Sequence, residues 1–202
     1  MANDDLIFRV QRLYAAIGAV EKADISKFMP KVINDGHRIG FNQDWSGGFS
    51  EAELANFAHS LIHNIASLEG HIKKWATQNG QDKAKVDDAF NSSLALKIIK
   101  DLWNIEKHPY PPRDGGHSGK SPRADKIEGQ LQLTTRAEKG SFVGLTFTPQ
   151  GVPKILGDGT AKVIISGDIL DKDNNNIGGL HSTALEAVKV WESVLSDFGV
   201  KL

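Results

Sequence analysis

The hydrophobic spacing of this chain changes at Pro109, and that change limits the folds open to it. Before Pro109, apolar residues recur every three or four positions, which is the period of an amphipathic helix. After it they alternate with polar residues, which is the period of a half-buried strand. The pattern therefore predicts an α+β fold, in which helices cover the apolar face of a small sheet.

Four helices are predicted before Pro109, over residues 5–22, 51–78, 82–90 and 93–107. The second has the clearest start, because Ser50 and Glu53 fit a capping box in which each side chain bonds the other residue's backbone amide. Its apolar seam continues along the whole helix, which is typical of a partner-helix surface. We therefore expect a homodimer through the 51–78 helix. The seam consists of Leu54, Ala58, Leu61, Ile65, Leu68, Ile72 and Trp75.

The second half of the chain predicts three or four antiparallel strands followed by a closing helix that begins near His181. Since such a meander is marginal alone, we expect one composite domain over residues 1–202. Its parts would be a helical bundle at 1–108, a surface loop at 109–125, and the meander with its helix at 126–202.

Composition excludes several classes of protein. The 202 residues contain no cysteine, which excludes disulfide scaffolds, thiolate zinc sites and cysteine nucleophiles. The formal net charge of −1 gives no global field that favours nucleic acid or an anionic membrane, although it allows a local basic patch. We find no signal peptide and no stretch of the ~18 apolar residues that span a bilayer, so we expect a cytoplasmic protein with no membrane partner.

A polar strip lies on the last predicted helix before Pro109. Asp101, Asn104 and His108 follow one another at steps of three and four residues and so share one side of that helix. The predicted core stripe beside it consists of Leu94, Ile98, Leu102 and Ile105. Asp101 is therefore expected to be partly buried and to need a partner, supplied by Lys97, another helix or the following loop.

The loop after this helix combines cations with glycines, which let backbone amides approach an anion. Its candidate anion-binding residues are Arg113, His117, Lys120 and Arg123. Arginine suits bidentate phosphate binding, and histidine transfers protons near neutral pH. A catalytic interpretation makes His108 the acid or base, with Asp101 and Asn104 orienting it or the substrate.

A purely structural interpretation of the same residues stays open. Lys97 and Asp101 would form an i,i+4 ion pair, and Asn104 would be a surface amide. His108 would cap the helix C-terminus, where its cation favours the negative end of the macrodipole. The basic loop would then be ordinary surface.

Metal sites have only weak candidates. His59 and His63 have the i,i+4 spacing that can hold a transition metal, but Ser60 stands where the H-E-x-x-H motif requires glutamate. If they face the 93–107 helix, they would meet Asp101 and His108. The stretch that begins at Asp171 resembles the start of a calcium loop, yet Ser182 replaces its bidentate glutamate, so we predict a polar turn. No cofactor is expected.

Two stretches carry resemblances to known proteins. "HNIASLEGHIKKWA" and "DLWNIEKHPYPPRDGGHSGKSPR" resemble a group of uncharacterised bacterial proteins that close a helical bundle with D-x-x-N-x-x-K-H ahead of a small β region. Here that segment is Asp101, Asn104, Lys107 and His108, and the resemblance covers residues 34–192. It implies the architecture and no activity.

The polar strip is also distantly similar to the HEPN superfamily of helical ribonucleases and nucleotide-binding domains. Their pattern is R-x(4–6)-H, whereas three residues separate Asn104 from His108 here, and three separate Arg113 from His117. The arginine that the pattern needs is absent.

Two hypotheses follow. The first is a non-enzymatic binding or interaction module with a polar pocket at the end of the 93–107 helix. The second is a metal-independent, HEPN-like ribonuclease or nucleotide-processing domain, with RNA or a nucleotide phosphate as its partner. Base rates favour the first, because no motif here is specific for catalysis.

Overall fold

The computed structural model describes residues 2–34, 36–37, 39–108 and 114–200. Helices and antiparallel strands are both present, which confirms the α+β class. The helices are α1 Ala2–Val20, α2 Glu51–Gln78, α3 Ala84–Ser92, α4 Leu94–Lys107 and α5 Leu180–Asp197. The strands are β1 Glu21–Lys22, β2 Lys31–Asn34, β3 Ile39–Asn42, β4 Arg123–Thr134, β5 Val143–Phe147, β6 Pro153–Gly157, β7 Thr160–Leu170 and β8 Asn176–Gly179. None of these helices combines the length and hydropathy that a bilayer crossing requires.

The start of α2 agrees with the predicted capping box. Ser50 N donates to Glu53 Oε2 at 2.9 Å, and Glu53 N donates to Ser50 Oγ at 3.4 Å. Two of the amides that a helix start leaves unpaired are thereby satisfied. The apolar seam of α2 is buried within the chain, where α2 packs against α1, α4 and α5. A partner helix would therefore have to use another surface.

The first helix is shorter at its C-terminal end than predicted. Glu21 and Lys22 leave α1 and form β1, which pairs with Ile164 and Val163 of β7. The spacing of apolar residues predicted a helix through Lys22, because it continues up to Val20 without a stop signal. Their pairing with β7 is a long-range contact that no local pattern reveals.

The main sheet is not a sequential meander. Its order is β1-β7-β4, and β8 also pairs with β7. The long strands β4 and β7 pair along ten antiparallel positions, from Arg123 opposite Leu170 to Thr134 opposite Thr160. The strands β5 and β6, which lie between β4 and β7 in the sequence, form a separate hairpin. The strands β2 and β3, before α2, form another. The prediction therefore had antiparallel strands in the second half of the chain, but neither their order nor the three short strands β1, β2 and β3.

The core lies between the helices and β7. Ile165 and Ile169 of β7 join the apolar stripes of the helices, and Trp191 of α5 is buried there. Its Nε1 donates to the Ile65 carbonyl at 3.2 Å, so the indole polar atom is satisfied.

The core stripe of α4 is rotated relative to the prediction. Leu94 is 54% exposed because it directly follows the Ser93 N-cap, and Ile105 is half-buried. The stripe is formed instead by Ala95, Leu96, Ile98, Ile99 and Leu102, and the same side of the helix carries Asp101 inward.

Candidate functional site

Asp101 is the most buried member of the predicted polar strip, at 1% exposure. Its Oδ1 accepts from His117 N at 2.8 Å, and its Oδ2 accepts from Ser118 N at 2.8 Å and from Ser118 Oγ at 2.6 Å. These three donors compensate the carboxylate for its lost hydration. The loop is thus the partner of Asp101, and Lys97 makes no ion pair with it.

The loop reaches Asp101 because its glycines adopt backbone conformations that other residues avoid. Gly115, Gly116 and Gly119 all have positive φ, and Ser121 N donates to the Gly115 carbonyl at 2.8 Å. A Cβ on Gly116 would lie 2.4 Å from Asp101 Oδ1. Residues 115–119 therefore surround the Asp101 carboxylate, and we call this loop together with its carboxylate the Asp101 anchor.

Asn104 and His108 do not join the Asp101 anchor. Asn104 is half-buried, and its carbonyl accepts from His108 N at 3.0 Å. His108 is the exposed C-cap of α4, and its imidazole makes no hydrogen bond or ion pair with any residue the structure describes. The helix strip therefore divides into a buried acid that the loop holds and an exposed imidazole, and no hydrogen bond joins Asp101 to His108.

The predicted anion-binding residues of the loop do not converge. Arg113 lies outside the described residues. The His117 ring packs edge-on against Phe90, with 5.3 Å between centroids. Arg123 Nη2 donates to Asn174 Oδ1 at 2.6 Å, and its Nη1 lies 4.0 Å from Asp125 Oδ1.

Lys120 lies near the β7–β8 turn, where it helps to lower the pKa of Asp171 after the larger effect of hydrogen bonds from Asn175. Asp171 Oδ1 accepts from Asp173 N and Asn175 N, each at 2.9 Å. This is the polar turn that the sequence predicts at Asp171. Asp171 also offsets part of the positive charge of Lys120.

His59 and His63 face α4 but do not meet Asp101 or His108. His59 Nε2 lies 3.0 Å from Glu106 Oε1, and His63 Nδ1 accepts from Trp103 Nε1 at 3.0 Å. Within the described ranges, no group of three or more His, Asp or Glu side chains is arranged to hold a metal ion. The predicted His/His/Asp/His cluster is therefore not formed.

A basic cleft between α1 and α2 was not predicted. An open cavity of about 590 Å³ lies there, which we call the α1–α2 cleft. Its lining residues are Asp5, Leu6, Arg9, His71, Lys74, Trp75 and Gln78. Because Leu6 and Trp75 are core residues, the floor of the cleft is apolar and its rim is charged.

The α1–α2 cleft keeps an excess of positive charge. Asp5 is its acid, with Oδ1 at 3.5 Å from Arg9 Nε and Oδ2 at 3.7 Å from His71 Nδ1. The Arg9 Nε is buried and still makes no hydrogen bond. Burial lowers the pKa of His71, and the charges of Arg9, Lys74 and Arg12 lower it further, against the opposing effect of Asp5. The buried Nε cannot reach a ligand, but the Arg9 side chain is 32% exposed beside Lys74, and a guanidinium next to a lysine is suited to bind an anion.

A second unpredicted cluster links distant segments. Glu21 Oε1 accepts from Lys162 Nζ at 2.8 Å and lies 2.7 Å from His181 Nε2. His181 is 2% exposed, and its backbone amide donates to Ser166 Oγ at 3.2 Å. Burial lowers the pKa of His181 more than the hydrogen bond with Glu21 raises it. Since these residues are satisfied by one another, the cluster joins β1, β7 and α5.

Neither unpredicted feature has a local sequence signal. Arg9 and Arg12 are ordinary surface positions of an amphipathic helix, and Lys74 is an ordinary surface lysine. The packing of α1 against α2 brings them together. Glu21 and His181 are 160 positions apart in the chain.

No family model matches this chain, and no curated protein or solved structure matches it either. The resemblances to the bacterial D-x-x-N-x-x-K-H group and to the HEPN superfamily therefore stay predictions.

Proposed function

We propose that the protein is a binding module for a phosphate-bearing ligand, RNA or a nucleotide, which it holds in the α1–α2 cleft. The observation that carries this proposal is the open cavity in which Arg9 of α1 and Lys74 of α2 both line the rim. Arginine binds phosphate with a planar pair of donors, and lysine adds a point charge. Gln78 supplies a further neutral donor to the same space.

The Asp101 anchor supports binding over catalysis. A general acid or base needs a group that orients it, and Asp101 gives its oxygens to His117 and Ser118 instead. His108 has no such partner among the described residues. The polar feature at the end of α4 therefore supports the shape of the loop, and ligand binding is proposed elsewhere.

The test is binding of labelled RNA and of adenosine triphosphate, followed by fluorescence anisotropy and calorimetry. Arg9→Ala and Lys74→Ala should each weaken binding by about tenfold, because each removes a charge-assisted contact. Lys154→Ala is the matched control, since Lys154 is an exposed lysine on the β5–β6 hairpin. Equal affinities for all variants would overturn the proposal.

The HEPN-like ribonuclease is the second candidate, and the exposed imidazole of His108 keeps it open. It predicts that purified protein cleaves RNA in the presence of a chelator. It also predicts that His108→Ala abolishes cleavage while the fold and the RNA affinity are unchanged. RNA that stays intact over long incubation with the unmodified protein would remove this candidate.

A homodimer and a cytoplasmic location belong to the same proposal. Since the α2 seam is buried within the chain, a dimer would have to form through another surface. Light scattering at several concentrations measures whether it does. The lack of cysteine agrees with a reducing compartment, where RNA and nucleotides are available.

A further inference from the structure

A second group of positive charges lies beyond the α1–α2 cleft, around His63. This residue is eight positions before His71 on α2, which is roughly 12 Å at 1.5 Å per helical residue. Burial lowers the pKa of His63, and Arg12, Lys107 and Arg9 lower it further. Arg9 and Arg12 also lower the pKa of His71, so these two arginines lie close enough to act on both histidines.

The end of α4 extends this group of positive charges. The Trp103 indole donates to His63, and the two ring centroids are 6.0 Å apart. Lys107 Nζ lies 3.2 Å from the centroid of the Trp103 ring. The chain Lys107–Trp103–His63 therefore connects α4 to α2 with a cation, an aromatic ring and an imidazole.

Small residues leave the surface of α2 open between His63 and Lys74. Ser67 and Gly70 lie in this interval, and a Cβ on Gly70 would have no neighbour within 4 Å. The interval from His63 to Lys74 covers about 16 Å of helix. One phosphate group cannot span that distance, whereas a strand of linked phosphates can.

Aromatic side chains on the same side favour an unpaired strand over a duplex. Phe8 is 56% exposed and precedes Arg9 directly, and it shares a side of α1 with Arg12 at the i,i+4 spacing. Trp103 is half-buried at the other end. Exposed aromatic rings stack on unpaired bases irrespective of sequence, and in a duplex those base faces are already stacked.

We propose that this basic face, from the α1–α2 cleft to the end of α4, binds a single-stranded polynucleotide. The inference rests on the proposed function and names its ligand. The phosphates contact Arg9, Arg12, Lys74 and Lys107, and bases stack on Phe8. These contacts reach phosphates and the flat faces of bases, so the binding is general for single strands.

The experiment measures the affinity of labelled oligouridylates of two, four, eight and twelve nucleotides at several salt concentrations. Affinity should rise with length up to the strand that covers the face. The slope of log K against log salt should be about −3, from about −0.7 for each of four phosphate contacts. Arg12→Ala and Lys107→Ala should each reduce that slope by about 0.7, and Lys154→Ala should leave it unchanged.

Phe8→Ala separates stacking from charge. It should weaken the eight-nucleotide strand by roughly tenfold, as expected for the loss of one stacked base, and leave the salt slope unchanged. Oligodeoxythymidylate of equal length should bind similarly if backbone charge and stacking are the contacts. All four substituted side chains are exposed or half-buried, and a circular dichroism melt of each variant verifies the fold.

The outcomes distinguish this inference from the proposed function. In one outcome adenosine triphosphate binds and Arg9→Ala weakens its binding, but affinity does not rise with oligonucleotide length and Lys107→Ala has no effect. That outcome would contradict the single-stranded ligand and would leave the proposed phosphate site in place. A duplex that binds as tightly as the single strand also overturns the inference. If neither nucleotide nor oligonucleotide binds, both proposals fail.

Discussion

The Asp101 anchor and the α1–α2 cleft treat charge in opposite ways. At the anchor, one buried carboxylate receives three hydrogen bonds from a neighbouring loop. In the cleft, the rim cations Arg9 and Lys74 outnumber their one acid, Asp5. A saturated charge stabilises the fold, whereas an unsaturated charge is available to a ligand. The α1–α2 cleft is therefore a better candidate for ligand binding than the basic loop after α4.

The largest expected effect is at the anchor itself. Asp101→Ala should lower the free energy of unfolding by about 3 kcal/mol, because it removes a buried carboxylate and leaves two part-buried amides and a hydroxyl without their acceptor. Urea denaturation measures the change. Asp88→Ala removes an exposed acid and should stay within about 0.5 kcal/mol. Equal effects of the two substitutions would mean that the anchor does not hold the loop.

Gly116→Ala should cost about 2–4 kcal/mol, since it combines a φ of +76° with a Cβ placed against the Asp101 carboxylate. Gly119→Ala is the matched control, because its φ is +71° but open space surrounds the position. It should cost only about 1 kcal/mol. The same denaturation experiment measures both, and a difference of zero would show that the contact with Asp101 is not tight.

The pH dependence of stability should report a smaller effect from the buried histidine. The folded protein holds the pKa of His181 below its ordinary value of 6.5, so only the unfolded chain takes up this proton as the pH first falls below that value. Stability is therefore complete above pH 6.5 and decreases until the pH passes the folded pKa.

The substitution His181→Gln isolates the contribution of this imidazole. It should remove the part of the pH dependence of the free energy of unfolding between pH 7 and 5 that His181 causes. Glu21 and Lys162 face the ring. The pKa of Glu21 is itself lowered, since the hydrogen bonds from Lys162 and His181 outweigh its burial, so its carboxylate stays charged through this range. An unchanged slope in the variant would assign the pH dependence to other groups.

The smallest effect is expected on the basic face. Arg12→Ala should change the free energy of unfolding by less than about 0.5 kcal/mol, because the side chain is exposed and its charge lies among like charges. A thermal melt and a denaturant titration measure it. A decrease in the free energy of unfolding as large as that of Asp101→Ala would mean that the Arg12 charge stabilises the fold. The two regions would then not differ in the way that we propose.

Local chemistry made part of the molecule predictable. The capping box at Ser50 placed the start of α2, and the polarity at Asp171 predicted its turn. The burial of Asp101 also followed from the position of an acid beside an apolar stripe, although its partner was left open among Lys97, another helix and the loop. In each case the interaction joins residues that are close in sequence or fixed by helical periodicity.

Tertiary packing decided the rest. The pairing of β4 with β7 skips two strands, and no local pattern specifies which strands are neighbours. The prediction of a shared pocket placed His108 with Asp101 because they lie on one helix, but the helix ends at Lys107 and leaves the cap exposed. The α1–α2 cleft could not be predicted because its cations come from helices separated by thirty residues of other structure.

The short strand β1 has a consequence for synthesis. The backbones of Glu21 and Lys22 pair with β7, and the Glu21 carboxylate contacts His181, which lies 160 positions later in the chain. During synthesis β1 therefore stays unpaired until β7 has been made. During that interval α1 can already pack against α2, its main neighbour, whereas the backbone of β1 has no strand to pair with.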